Sequence, residues 1–163
     1  MLRLMVANEA ISIPKDAALA QSAMFRSMVG VDMDALILPD LCQMESVKLF
    51  AVYVARRGPN QPLLALDPPP TPWVNYDLAS RLDEVDRCFV DELLLEHRPW
   101  IEAQRRVLEL FRVADYLQHG HLRALCAAVI ACTVCSNGET SGADVEGKEP
   151  SLEDVRRFQR NTL

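Results

Sequence analysis

The sequence predicts an α+β fold in which a small antiparallel β element sits among helices. Three observations carry that prediction. Short apolar–polar alternations occupy 3–13 and 35–38. Apolar residues then recur at helical spacing after Ser46 and again from Val107 to Val134. Between and beyond these runs, one stretch dense in proline and another rich in Gly, Ser and acids separate the helices.

In chain order, Arg3 to Ala7 and Ala10 to Ile13 read as a hairpin turning at Asn8-Glu9. Asp16 is placed to cap a helical stretch, Ala17 to Ala20, and Ser22 to cap Ala23 to Val29, closed by Gly30. Ala35 to Leu38 is a third strand, stopped by Pro39. From Ser46, the stripe Val47, Phe50, Ala51 and Val54 predicts a helix ending at Arg56-Arg57-Gly58, where basic residues complement the dipole. Prolines 59, 62, 68, 69, 70 and 72 make 58–72 an extended loop, since proline suits neither helix interior nor central strand. Tyr76 to His97 reads as an acidic helical region, with Pro99 ahead of a long helix from near Ile101.

The most informative stretch is the helical pair that follows. Val107, Leu110, Phe111, Ala114 and Leu117 stripe the first helix, and Leu122, Leu125, Cys126, Val129 and Ile130 the second. Gly120 is expected at the left-handed C-cap between them, where a Cβ is costly. Asp115 falls on the polar side of the first helix. After a linker at 136–149, Ser151 caps a last helix carrying Leu152, Val155 and Phe158. The predicted organisation is a domain at 1–135, the linker, and a C-terminal helix at 150–163.

Composition narrows the function classes. The 163 residues suit one domain plus an extension, and 50% apolar content supplies a core. A net charge of −6 argues against nucleic acid. The pairs Arg56-Arg57, Arg105-Arg106 and Arg156-Arg157 read as solvated helix faces. No apolar run reaches the ~18 residues of a membrane span, and Met1-Leu-Arg-Leu-Met-Val does not read as a signal peptide. Five irregularly spaced cysteines suit reduced, partly buried thiols, hence a cytoplasmic and nuclear setting. There is no G-x-S-x-G, H-E-x-x-H or glycine-rich phosphate loop, and no carboxylate pair stands out. The expectation is a non-enzyme without cofactor.

Four landmarks resemble the S-phase-kinase-associated adaptors, the BTB/POZ-fold family that links F-box proteins to cullins in ubiquitin ligases. These are Gln21-Ser22 with Phe25-Arg26-Ser27-Met28, and Ile37-Leu38-Pro39 with the helix through Val54. The third runs from Leu108-Glu109-Leu110 through Ala114-Asp115-Tyr116-Leu117 to Leu122, and the last from Lys148 to Arg156. Elongin C shares the BTB core but not the last landmark.

The resemblance implies a bridge between a cullin N-terminal domain and an F-box substrate receptor. Asp115 and Tyr116 would face the cullin. Leu122, Leu125, Val129, Leu152, Val155 and Phe158 would form the groove for the F-box helix, although core packing is the competing role for Leu125 and Val129. Pro150 matches a proline that some protist relatives hydroxylate and glycosylate; its plainer role is to precede the Ser151 cap. The chain departs from the family in carrying Asp115 where asparagine is usual, in its proline-rich loop and in a longer segment between Arg57 and Val107. Leu163 also precedes the further helix and tryptophan-bearing tail that the family folds over the F-box. For such a protein free of its partners, a homodimer through exposed apolar surface is one open alternative.

Two alternatives stand beside this. One keeps the fold but makes the chain a scaffold subunit of a kinetochore, cytoskeletal or transcription complex. The other is a zinc or redox site from His119, His121, Cys126, Cys132 and Cys135. In a continuous helix, Cys126 and Cys132 are about 600° of rotation apart and face differently. The C-x-x-C also lies at the helix end that does not lower a thiol pKa. The plainer expectation is buried thiols and two polar loop histidines.

Overall fold

The computed structural model describes residues 1–28, 35–39, 42–61, 78–95 and 100–138, with backbone alone at 79, 95, 100 and 133–138. Strands β1 (Leu2–Val6) and β2 (Glu9–Ile13) pair antiparallel from Leu2↔Ile13 to Val6↔Glu9. The turn therefore falls on Ala7-Asn8, one residue before the Asn8-Glu9 expected. Both turn residues have positive φ, 45° and 74°, as a two-residue hairpin of matching twist requires. Asparagine tolerates that conformation, and Glu9 is left free to pair with Val6.

Strand β3 (Ala35–Ile37) lies on the other side of β1 and runs parallel to it, giving the order β2-β1-β3. The sheet is thus mixed, not antiparallel. Helices α1 (Lys15–Gln21) and α2 (Ala23–Ser27) lie between β2 and β3 in the chain, and β3 enters in the direction of β1. One face buries Leu2, Leu4, Val6, Ile13 and Leu36. Asp16 does not cap α1: Pro14 holds that position without a side-chain bond, and Asp16 lies in the first turn, complementing the dipole. Ser22 does cap α2, accepting from Phe25 N–H at 3.2 Å, and α2 spans Ala23–Ser27, with Val29 and Gly30 outside the described residues.

Helix α3 (Met44–Arg57) begins two residues before Ser46 and buries Val47, Phe50, Tyr53 and Val54. Gly58, at φ 65°, closes it with an N–H bond to Val54 C=O. A 3₁₀ turn (Ala79–Arg81) precedes α4 (Glu84–Leu95), so the expected helical region is two elements separated by Leu82-Asp83. Asp83 caps α4 by accepting from Asp86 N–H at 2.9 Å. Helices α5 (Trp100–Tyr116) and α6 (Gly120–Gly138) form the predicted pair. The core joins the sheet face to Phe50, Tyr53, Phe89, Leu110, Leu117 and Leu125. Among the described residues the molecule is α+β, with one three-stranded mixed sheet and six α-helices, none long and apolar enough to cross a membrane. The proline-rich loop beyond Gln61, the linker beyond Gly138 and the C-terminal helix lie outside the described residues, as do Pro150, Leu152, Val155 and Phe158.

Candidate functional site

The corner between α5 and α6 turns side chains inside out over four residues. Ala114 and Leu117 are fully buried, whereas Tyr116 is 37% exposed and Asp115 points to solvent. Asp115 Oδ1 accepts from Arg123 Nη1 at 3.0 Å, an exposed pair joining the two helices. Gln118, with φ 51°, is the left-handed residue that ends α5. His119 N–H reaches back to Ala114 C=O at 2.8 Å and Gln118 N–H to Asp115 C=O at 3.0 Å, the paired bonds of a Schellman cap. The expectation that Gly120 takes this role is corrected. Gly120 opens α6, has no positive φ, and a Cβ there would meet nothing within 4 Å.

His119 caps the start of α6, a task its imidazole performs through Nδ1. That nitrogen accepts from Leu122 N–H at 3.2 Å, so the proton sits on Nε2, which donates to Gln21 Oε1 at 3.0 Å. The Gln21 amide passes the link on, donating to Gly58 C=O at 2.7 Å and Val54 C=O at 3.3 Å. Burial pushes the His119 pKa down to about 4, so the ring is neutral at pH 7. Phe50 and Tyr53 meet the ring edge-on at 5.7 and 5.6 Å. Ser22 hydroxyl donates to Leu117 C=O, and Ala23 N–H to Gln118 C=O at 3.2 Å. The corner is thereby held from α1, α2 and α3.

Behind it lies a second polar cluster, centred on Asp86. Oδ1 accepts from Tyr53 Oη at 2.7 Å and Arg57 Nη1 at 3.0 Å; Oδ2 accepts from His121 Nε2 at 2.7 Å. Arg57 also forks onto both oxygens of Asp83, and its guanidinium lies 5.9 Å from the Tyr53 ring centroid. Burial pushes the Asp86 carboxyl up, but His121, Tyr53 and Arg57 outweigh it and hold the pKa below its ordinary value. Both oxygens are occupied and the side chain is sealed from solvent, so the cluster fastens α3, α4 and α6 together and offers no opening to a substrate.

Several sequence readings change here. Arg57 is not part of a solvated face: it is fully buried, while Arg56 is exposed and pairs with Glu92 at 2.7 Å. His119 stands in the loop before α6 as expected and His121 in the first turn of α6, and both are buried and committed to Gln21 and Asp86. Leu122, Leu125 and Val129 are buried, which for Leu125 and Val129 is the competing core-packing role. Burial raises the pKa of the Cys126 thiol, which keeps it protonated and unreactive. Among the described residues, which exclude the Cys135 side chain, no three His, Cys, Asp or Glu side chains could hold a metal.

Sequence reasoning missed Gln21, Tyr53, Asp83 and Asp86. The one local signal was Asp83 standing three residues before Asp86 at the head of an apolar run, the spacing of a helix cap. No family model matches the chain, and no curated protein matches it.

Proposed function

We propose that this chain is a divergent S-phase-kinase-associated adaptor of BTB/POZ fold, bridging a cullin N-terminal domain and an F-box substrate receptor. The observation that carries the reading is the corner itself: Asp115 and Tyr116 face outward between buried Ala114 and Leu117, on a cap tied to three other helices. A rigid corner offering one aromatic ring loses little entropy when a partner covers it. Function is then surface complementarity, with no bond made or broken, in the cytoplasm and nucleus. Receptor binding falls to the segment around Leu152, Val155 and Phe158.

The direct test is binding of the purified full-length protein to a cullin N-terminal domain. Tyr116→Lys and Asp115→Lys are expected to weaken it at least ~10-fold, the loss of a central contact, with circular dichroism unchanged. Absence of binding by the folded wild-type protein would remove the ligase assignment.

One observation favours a second reading, a BTB-type scaffold subunit. Leu122, Leu125 and Val129, half of the residues assigned to receptor binding, are enclosed in the core. Copurification with neither cullin nor F-box protein would select the scaffold.

A further inference from the structure

The outward face of α5 carries a strip that the core does not use. Ile101, Arg105, Leu108, Arg112 and Tyr116 follow one another by steps of four, three, four and four residues, within about 80° of the helix circumference. All five are exposed, Ile101 at 74% and Leu108 at 47%. The strip is some 22 Å long by the helical rise. Three large apolar side chains in one exposed line are more than scattered surface residues. The two cations between them stand out on a chain of net charge −6. Arg105 is partly answered by Glu109 at 3.0 Å, while Arg112 has no ion-pair partner among the described residues.

We infer that the outward face of α5, from Ile101 to Tyr116, docks an acidic amphipathic helix of a partner protein. Apolar contacts seven and eight residues apart match the seam of two helices packed side by side at a shallow angle. Carboxylates between the partner's apolar residues would answer Arg105 and Arg112, a complementarity that sets partner choice. A second copy of this chain does not fit. Two-fold antiparallel pairing about the middle of the strip places Ile101 against Tyr116, but Arg105 against Arg112, so like charges meet in the seam. The strip shares Tyr116 with the proposed cullin face, yet it rests on its own residues and stands whether or not a cullin binds.

The test is selection of a displayed library of helical peptides, about 18 residues long to span the strip, against the full-length protein. Enriched sequences are expected to carry apolar residues at heptad spacing with Asp or Glu between them. Arg105→Glu combined with Arg112→Glu should shift enrichment to Lys and Arg. Leu108→Glu should weaken the best peptide at least ~10-fold. All three side chains are exposed, so circular dichroism should match the wild type. The inference is overturned by no enrichment, by enrichment without an acidic preference, or by binding that Leu108→Glu leaves unchanged. Leu108-dependent flotation with phosphatidylserine vesicles, in place of peptide binding, would equally overturn it in favour of a membrane surface.

Discussion

Burial alone would neutralise Asp86, and three donors reverse that preference. Removing the carboxylate would leave the Tyr53 hydroxyl without its acceptor and take a buried charge partner from Arg57, which keeps Asp83, and from His121; breaking a buried charge pair costs on the order of 3–5 kcal/mol. Asp86→Ala is therefore expected to lower the urea midpoint severely. Tyr53→Phe, which deletes one of the donors to a charged carboxylate, should cost about 2 kcal/mol. His119 supplies a pH dependence. Its folded pKa lies near 4, against an ordinary 6.5, because the fold holds the ring neutral. Its contribution is fully present above pH 6.5 and is lost as pH falls from 6.5 through 4, by on the order of 3 kcal/mol. Asp86, with its pKa held low, extends the same acid-side loss below that window. Urea titrations between pH 7 and pH 4 should show the decline. His119→Asn, which keeps a cap acceptor but does not titrate, should flatten it at some cost in stability at pH 7.

At the scale of elements, the α5–α6 corner separates two accounts of one short loop. If Gly120 were the left-handed residue, Gly120→Ala would destabilise the protein. Because Gly120 instead begins α6 with open space around it, the substitution should raise stability by about 0.5 kcal/mol. Gln118→Gly, which relieves a positive φ, should raise it by about as much. Denaturant midpoints of both variants check this together. Helices α3 and α5, β1 and β2, and the Ser22 cap were legible in the sequence because burial and capping leave local spacings. Strand direction was not: β3 pairs parallel to β1 through residues 32 apart, Arg3 and Ala35, and the alternation of three residues carries no direction. The Arg57–Asp86–His121 cluster was hidden for a related reason. A basic residue in a helix's last turn looks the same in sequence whether it meets water or a carboxylate 29 positions away. Of the candidate site, Asp115 was placed outward by the helical stripe and Tyr116 was named through the resemblance, whereas the network that fixes them was not visible.

Across the whole molecule, the contacts that define the corner join opposite ends of the core. Gln21 bonds to His119 across 98 positions, and Ser22 to Leu117 across 95. Among the described residues, the Gln21 side chain otherwise reaches the end of α3, and the Ser22 hydroxyl donates to the corner. A polypeptide emerging from the ribosome in order can close the β1–β2 hairpin at once, since those strands are neighbours. It cannot complete the surroundings of α1 and α2 until residues 117–119 have also emerged. Until then the apolar face of α3 lacks the cover that α5 supplies. The fold therefore completes late in synthesis. A nascent chain paused before Leu117 would present open apolar surface, the form in which a chaperone would recognise it.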